Sequence, residues 1–253
     1  MIKIKDKVAI QKMAEAGTLL AQLFEDIKPQ VQAGVSTLQL DQWIESELKK
    51  RGLVSQTKGY AGYRHASCIS MNDEVVHGVP CAKKVLKEGD LVKIDICASF
   101  KGYCADMARP FFVGVMPSKI DDFVRVAHSS LKKGIASARV GGYLSDISAA
   151  IQQEVEKAGY GVVRDFAGHG IGKSMHEEPE LPNYGVPGKG PLLRHGTTLA
   201  IEPMITLGHY DVYVEQDGWT VKTVDKSLAT HIEDTIVILE DGPRILTTVS
   251  TSL

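Results

Sequence analysis

The chain has 253 residues, which suits one large domain or two small ones and supplies enough apolar side chains for a core. A formal net charge of −2 gives no electrostatic reason to expect nucleic acid as a partner, and no apolar run approaches the length of a membrane span. The four cysteines show no C-x-x-C pair and the N-terminus shows no signal-like segment, so we expect reduced thiols in a cytoplasmic protein.

Helical spacing of apolar residues predicts four helices. Asp6 can cap the first, which ends before Pro29, and Ser36–Gln39 is a capping box for the second, which Gly52 ends. The other two are predicted after Pro117-Ser118 and from about Leu144 to Ala158. Strands are predicted around Ser67–Met71, Val162–Phe166, Thr197–Glu202, Val212–Glu215, Trp219–Val221 and Thr230–Leu239, and residues 179–196 are predicted to be the longest loop.

The stretch Leu91–Val113 is predicted to be a β-hairpin that carries two acids. Apolar and β-branched runs flank Lys101-Gly102, which suits a two-residue turn because glycine accepts positive φ. This turn sets Cys97 opposite Asp106, and strand alternation then puts Asp95 and Asp106 on one face as diagonal neighbours. Because converging carboxylates raise one another's pKa, this face is either solvated or needs a cation.

The chain also repeats itself at a shift of 107 residues. Matching pairs include Gly34 and Gly141, Ile44 and Ile151, Gly52 and Gly159, Leu86 and Leu193, Gly89 and Gly196, and Ile94 and Ile201. At the same shift Asp95 falls on Glu202, and after 20 extra residues Asp106 corresponds to Glu233. Two copies of so long a period indicate a duplicated half-domain. We therefore predict a single catalytic domain, 1–253, with repeats at about 6–113 and 114–240 that deliver their acids to a shared interface.

Acids inside apolar runs indicate a metal centre. They are Asp95, Asp106, Glu202 and Glu233, and the segment GHGIGKSMHEEP adds His169 and His176. Four carboxylates carry a charge that two divalent cations neutralise, and oxygen ligands with an imidazole favour Mn²⁺, Fe²⁺, Co²⁺ or catalytic Zn²⁺. Two such ions, roughly 3.5–4 Å apart, lower the pKa of a shared water into the neutral range, which suits hydrolysis of a carbonyl compound.

Several motifs together resemble those of type I methionine aminopeptidases, and the match covers essentially the whole chain: VVHGVP, GDLVKID, GHGIG, MHEEP, LAIEPM and DGWTVKTVDKSLATHIEDTIV. The resemblance implies the α/β pita-bread fold, with pseudo-two-fold duplicated halves and a curved antiparallel sheet covered by helix pairs. It implies two divalent metal ions (cobalt, manganese, iron(II) or zinc). It also implies a metallo-aminopeptidase that removes the initiator methionine from nascent proteins.

The resemblance also implies roles for individual residues. The implied metal ligands are Asp95, Asp106, His169, Glu202 and Glu233, of which Asp106 and Glu233 bridge both ions. Glu202 is further implied as the general base, while His77 and His176 contact the scissile amide. The α-amino group of the substrate is expected to bind a metal, which restricts attack to the N-terminal residue.

A pocket for the methionine thioether is implied as well. Its walls are expected to be Tyr60, Tyr63, Cys68, Met175 and Trp219, which combine aromatic and polarisable groups. Met175 stands where the family often has an aromatic residue, so the pocket is expected to be looser. Cys97 and Cys104 are interpreted as small packing residues on the acid face. His231, two positions before Glu233, either supports that ligand or is structural, and the sequence leaves this open.

Two segments depart from the family pattern. Asp106 is followed by Met107-Ala108-Arg109, where small hydroxyl residues are more usual. Glu233 lies between His231 and Asp234 in HIED, where Gln before the acid and His after it are more typical. Both segments are reminiscent of proline dipeptidases and X-Pro aminopeptidases, so an X-Pro peptidase on the same scaffold is the alternative. The motif DGWTVKT and the lack of an additional N-terminal domain favour the methionine enzyme.

The same resemblance sets expectations about partners. Nascent polypeptides that begin with methionine are the expected substrate, and we expect a monomer. Neither a nucleic-acid motif nor a membrane segment is indicated, whereas docking on the ribosome is left open. A non-catalytic binding protein that keeps the fold without the metals is a third hypothesis, and the intact acids and histidines argue against it.

Overall fold

The computed structural model describes residues 2–250. Its helices are α1 (Lys7–Ile27), α2 (Thr37–Lys50), α3 (Ser118–Ser137) and α4 (Leu144–Lys157), with short 3₁₀ turns at Lys28–Gln30 and Tyr60–Gly62. The predicted helix boundaries are confirmed. Asp6 accepts a hydrogen bond from the amide of Ala9 at 2.8 Å, and Ser36 and Gln39 form the capping box. None of the helices between residues 2 and 250 combines the length and the apolar character that crossing a bilayer demands.

The strands alternate with the helices along the chain. They are β1 (Val54–Ser55), β2 (Cys68–Met71), β3 (Leu91–Phe100), β4 (Tyr103–Phe112), β5 (Gly161–Val162), β6 (Ala167–Gly170), β7 (Glu177–Pro182), β8 (Thr198–Ile201), β9 (Met204–Thr206), β10 (Val212–Val214), β11 (Val221–Thr223), β12 (Ala229–His231), β13 (Glu233–Leu239) and β14 (Gly242–Ile245). Nine of them form one sheet in the order β1-β3-β4-β13-β8-β6-β7, with β2 beside β3 and β14 beside β13. Smaller sheets are β10-β11 and β12-β9-β5.

The predicted hairpin is confirmed, including its register. Strands β3 and β4 pair with Phe100 opposite Tyr103 and Cys97 opposite Asp106. Lys101 and Gly102 both have positive φ, at 50° and 78°, as the two central residues of a type I′ turn require. This register therefore sets Asp95 and Asp106 on the same face of the sheet.

Each helix pair covers part of the sheet and builds its own core. In the first core α1 and α2 pack on the β2–β4 region, where Ile94 and Ile96 of β3 are fully buried. In the second, α3 and α4 pack on β8 and β13 through Leu199, Ile201 and Ile236. Since Ile94 and Ile96 point at the helices, Asp95 between them points to the opposite face, away from that core.

Four predictions about strands and loops are wrong in detail. Of Trp219–Val221 only Val221 is strand, because β11 begins there and continues to Thr223. Only the start of Val162–Phe166 is strand, because the chain there leaves the small sheet of β5 and enters the large sheet at β6. Likewise Thr230–Leu239 is interrupted at Ile232, where it crosses from β12 to β13. The predicted loop 179–196 begins within β7, whose prolines are tolerated because β7 lies at the edge of the sheet.

Candidate metal centre and substrate cavity

One cavity of about 100 Å³ brings together the residues that the sequence predicted as site residues. Its lining is Thr57, Tyr60, Tyr63, Cys68, His77, Asp95, Cys97, Asp106, His169, Met175, His176, Glu202, Trp219 and Glu233. Every residue implied as ligand, catalytic group or pocket wall is in this set. Thr57 and Cys97 also line the cavity, although neither was predicted as a site residue.

The order of the large sheet explains how distant acids converge. Strands β3, β4, β13, β8 and β6 are consecutive neighbours in this sheet. Each of these strands, or the residue at its end, contributes one side chain: β3 Asp95, β4 Asp106, β13 Glu233, β8 Glu202 and β6 His169. Glu202 directly follows β8, and Glu233 is the first residue of β13. Five adjacent strands therefore each deliver one candidate ligand to a single region of the sheet.

The ligand-type atoms lie close together. The Nε2 atom of His169 is 3.6 Å from Oε1 of Glu202 and 3.8 Å from Oδ2 of Asp106. Two compact groups have all their ligand atoms within 4.8 Å of one another, namely Asp106, His169 and Glu233, and Glu202, His231 and Glu233. Asp95 lines the same cavity but belongs to neither group.

Burial makes this cluster electrostatically unfavourable for bare carboxylates. Burial, reinforced by the charge of Glu202, raises the pKa of Asp106 to about 7, and burial raises the pKa of Glu202 to about 8. The pKa values of Asp95 and Glu233 are raised for the same reason, burial, and by the charge of Asp106 beside each of them. A positive charge between these groups stabilises their ionised forms.

Unpaired buried atoms show that the residues present fit a divalent cation. Among residues 2–250, Oδ1 of Asp106 and Oε1 of Glu233 are buried without a hydrogen-bond partner, which is unusual for carboxylate oxygens. The Nδ1 atom of His169 lies 3.0 Å from the carbonyl oxygen of Gly170, which favours the tautomer whose free Nε2 faces the cavity. Burial also lowers the pKa of His169 to about 4, so the imidazole is neutral and able to bind a metal.

The glycines of GHGIG are explained by close packing. A Cβ atom on Gly168 would lie 2.5 Å from the carbonyl oxygen of Ala200, and one on Gly170 would lie 2.2 Å from that of Glu178. Strand β6 therefore approaches β7 and β8 more closely than side chains allow at these positions. The tight packing fixes His169 between two positions that must be glycine.

Two further histidines line the cavity from loops. His77 has φ of 57°, a left-handed conformation that is uncommon outside glycine and is found at functional sites, and its ring packs edge-on against Phe166. His176 has its Nδ1 atom 2.9 Å from Oη of Tyr60. Its ring also contacts that of His169 edge-on, with centroids 4.4 Å apart. These contacts orient both imidazoles.

An aromatic and sulfur-containing wall lies beside the acids. The rings of Tyr63 and Trp219 pack nearly perpendicular with centroids 5.0 Å apart. The hydroxyl of Tyr63 donates to the carbonyl of Ser67 at 3.1 Å, and burial raises the pKa of this tyrosine. Cys68 of β2 is paired with Asp95 of β3, so the apolar wall and the acid cluster share a boundary.

The two departures from the family pattern form one structural unit. Nη2 of Arg109 lies 2.6 Å from Oδ1 of Asp234, and the same guanidinium donates to the carbonyl oxygen of Glu233 at 2.5 Å. The hydroxyl of Thr247 donates to Oδ1 of Asp234 at 2.6 Å. Asp234 alternates with Glu233 along β13 and therefore points away from the acid cluster. Arg109 and Asp234 thus support the strand behind the ligands and do not line the cavity. His231, another of the departures, lies beside Glu202 instead.

Three residues near the site carry little signal in the sequence. Thr57 gave no signal, because it lies in a loop outside the motifs. Cys97 was assigned to packing on the acid face. It does pack in a buried cluster, and it also lines the cavity because it lies two residues from Asp95 on the same face of β3. His231 was left open, and its Nε2 lies 3.3 Å from Oε2 of Glu202. Its spacing of two residues from Glu233 was the signal that the sequence offered.

A curved antiparallel sheet covered by helix pairs, with buried carboxylates and an imidazole at its centre, defines the pita-bread metallopeptidases as the class. The chain belongs to the metallopeptidase family M24, whose family model matches residues 11–240.

Full-length relatives support this assignment. The chain is 45% identical over 247 residues to a methionine aminopeptidase of Clostridium acetobutylicum, covering 98% of this chain and 99% of that protein. The crystal structure of methionine aminopeptidase from Thermotoga maritima matches with a TM-score of 0.95 at 42% identity, covering 98% of this chain and 100% of that one.

The alternative class is more distant. A prolidase from Pyrococcus furiosus matches with a TM-score of 0.80 at 22% identity, and the match covers 98% of this chain but 66% of the prolidase. A similarity at this level of identity shows a shared fold alone. The comparisons therefore favour the methionine enzymes over the X-Pro peptidases.

Proposed function

We propose that the protein is a methionine aminopeptidase that removes the initiator methionine from nascent polypeptides. The proposal is supported above all by one observation: the acid–imidazole cluster and the aromatic wall line the same cavity. A methionine side chain bound against that wall brings the first peptide bond next to the acids. Full-length similarity to proteins that carry this activity supports the same assignment.

We further propose that two divalent ions, of cobalt, manganese, iron(II) or zinc, are bound by five residues. These are Asp95, Asp106, His169, Glu202 and Glu233. When bound, the ions supply Lewis-acid chemistry and a water of lowered pKa. The crowding of the carboxylates and the orphaned oxygens of Asp106 and Glu233 support this ligand set.

The chain's own groups have separate tasks in this proposal. The carboxylate of Glu202 accepts the proton of the attacking water at one of its oxygens. The imidazoles of His77 and His176 donate hydrogen bonds to the scissile amide and stabilise the negative charge that develops on its oxygen. Tyr60, Tyr63, Cys68, Met175 and Trp219 hold the methionine side chain and exclude water from it.

The setting proposed for this activity is the cytoplasm, where the substrates are nascent polypeptides with N-terminal methionine. All four cysteines are free thiols, as is usual in a reducing compartment. We propose that the enzyme acts as a monomer, because the residues proposed for catalysis come from one chain. No contact with nucleic acid or a membrane forms part of the proposal, and ribosome docking is not required by it.

Substrate competition tests the proposal directly. Release of methionine from Met-Ala-Ser is compared with cleavage of Ala-Pro and Ala-Pro-Ala under the same metal conditions. We expect kcat/KM for Met-Ala-Ser to be higher by at least about 10²-fold, since the thioether pocket contributes only to the methionine substrate. A preference for the proline bond would establish the X-Pro peptidase instead. If the protein shows no peptidase activity that a chelator abolishes, the hypothesis of a non-catalytic binding protein is supported instead.

A further inference from the structure

His231 is a buried imidazole whose function is not explained by the proposed mechanism. Its side chain is about as buried as any in the core, with 1% of the residue exposed. The Nε2 atom lies 3.3 Å from Oε2 of Glu202, yet the ring is not aligned for a hydrogen bond. Within the part of the chain that the structure describes, this Nε2 has no hydrogen-bond partner. A buried polar atom without a partner is costly, which calls for a functional explanation.

The backbone fixes this imidazole against the segment that carries Glu202. Strand β12 pairs with β9 so that His231 is opposite Met204, two residues beyond Glu202. The amide of Ile232 then donates to the carbonyl of Pro203 at 3.3 Å. Both backbone contacts tie His231 to residues that follow Glu202 directly. The distance between the imidazole and the carboxylate is therefore set by strand pairing.

The two oxygens of Glu202 have different neighbours. Oε1 lies 3.6 Å from Nε2 of His169, and Oε2 lies 3.3 Å from Nε2 of His231. His169 has its other ring nitrogen occupied by the carbonyl of Gly170. The Glu202 carboxylate thus lies between two imidazoles, one for each oxygen. The last torsion of a glutamate is broad, so the side chain alone does not determine which oxygen faces the cavity.

We propose that His231 is a positioning residue for Glu202: its Nε2–H donates a hydrogen bond to Oε2 and leaves Oε1 directed towards His169. The 3.3 Å separation is already close to hydrogen-bond length, so a small rotation of the ring that aligns Nε2–H with Oε2 satisfies this atom. The carboxylate is then held in the rotation in which Oε1 accepts the proton of the attacking water. This inference rests on the proposed role of Glu202 as general base.

Two substitutions test the proposal. His231→Leu keeps the volume but removes the donor, and His231→Gln restores a donor with an amide. We expect His231→Leu to lower kcat for Met-Ala-Ser by about 10- to 100-fold with KM changed by less than about threefold, because a hydrogen bond to a charged group is lost. His231→Gln is expected to keep kcat within about threefold of the wild type.

Binding of Mn²⁺ alone, followed by calorimetry, distinguishes positioning from ligation. We expect both variants to keep the wild-type stoichiometry and to bind Mn²⁺ within about threefold of wild type, and the melting temperature of metal-free His231→Leu to stay equal or rise. Loss of one ion, or a much weaker affinity in both variants, would make His231 a ligand and overturn the proposal. If both variants lose the same amount of kcat and have a lower melting temperature, His231 contributes only to packing and the proposal fails. If His231→Leu keeps full activity, His231 does not position Glu202.

A Glu202→Gln background separates this inference from the proposed function. If Glu202 is the base and His231 acts through it, adding His231→Leu to Glu202→Gln lowers kcat by less than about twofold. If Glu202→Gln alone retains activity, the proposed mechanism fails. If the two substitutions instead multiply their effects, the mechanism stands and the positioning role of His231 fails.

Discussion

At the scale of single residues, Glu202 carries the proposed chemistry. Glu202→Gln removes the proton acceptor while it preserves shape, so we expect kcat for Met-Ala-Ser to fall by about 10²- to 10⁴-fold. The fold is expected to remain intact, because the wild-type carboxylate is itself unfavourably buried among other acids. Steady-state kinetics and thermal unfolding of the same preparation measure both effects. Glu240→Gln is the matched control, since that side chain is 75% exposed and outside the cavity. Unchanged turnover in Glu202→Gln would contradict the mechanism.

His176 is the second residue whose substitution is informative. His176→Ala removes a donor to the developing charge on the amide, so we expect kcat to fall by about 10²- to 10³-fold. Bound metal, measured by elemental analysis, is expected to be unchanged. Tyr60→Phe removes only the contact that orients the ring, at 2.9 Å, and should have an effect of about fivefold or less. Loss of metal in His176→Ala would instead identify this histidine as a ligand.

At the scale of elements, the hairpin that carries Asp95 and Asp106 depends on its turn. Lys101 holds a positive φ of 50°, which asparagine adopts more easily than lysine. We expect Lys101→Asn to raise the free energy of unfolding by about 0.5 kcal/mol. The lost contact between Lys101 and Glu15 is exposed and contributes little. Urea denaturation measures the change, and Gly102→Ala, at φ of 78°, should have the opposite sign.

The loop between β6 and β7 carries Met175 and His176 and is tied to the N-terminal segment. Lys5 and Glu177 form an ion pair at 2.8 Å whose side chains are 6% and 2% exposed. We expect Lys5→Met to lower the free energy of unfolding by about 3 kcal/mol, because it removes the buried cation that lies nearest to the buried carboxylate of Glu177. Lys3→Met is the control, since Lys3 is 69% exposed and 3.7 Å from Glu177. If Lys5→Met changes the free energy of unfolding by no more than Lys3→Met does, the ion pair between Lys5 and Glu177 does not contribute to stability.

The same ion pair predicts a pH dependence. Burial alone raises the pKa of Glu177, but the hydrogen bond and charge of Lys5, together with the Ser174 amide and the charge of Lys3, outweigh it, so the net pKa is lowered. A lowered folded-state pKa contributes stability above the unfolded value of about 4.3, and this contribution is lost as the pH falls through the folded value. The stability difference between wild type and Lys5→Met should therefore be large at neutral pH and shrink in acid. A difference that is constant between pH 7 and about pH 3.5 would contradict this account.

At the scale of the whole molecule, metal binding and folding are expected to be linked. The candidate ligands come from five strands of one sheet, so only the folded chain presents them together. An ion that binds the folded state stabilises it by RT ln(1 + [L]/Kd), about 2.7 kcal/mol at one hundred times the dissociation constant. We expect stepwise addition of Mn²⁺, Co²⁺, Fe²⁺ or Zn²⁺ to the chelated protein to raise the melting temperature and to restore activity.

Addition of Mg²⁺ is the control for this experiment. Mg²⁺ prefers to keep its water shell and is a poor match for an imidazole-containing site. It is therefore expected to give much less stabilisation at equal concentration. Activity that returns without any change in melting temperature would mean that the ions act away from this cluster.

Local patterns determined much of the fold and of the candidate site. The cap at Asp6, the capping box at Ser36 and the Lys101-Gly102 turn are decided by neighbouring residues, so they were predicted to within a residue or two. The hairpin register followed from turn length alone, and with it the shared face of Asp95 and Asp106. The internal repeat stays a prediction, and the four acids that it relates, these two with Glu202 and Glu233, line one cavity.

Long-range pairing determined the rest, and no local pattern encodes it. The breaks after Val162 and at Ile232 exist because the chain changes sheets there, and β7 is a strand only because β6 accepts it at an edge. The pairing of Arg109 with Asp234 and the position of His231 beside Glu202 join residues that are far apart in sequence. The sequence by itself thus determined which groups are available. The tertiary structure decided which atoms meet, because distances between strands are set by sheet order and side-chain packing.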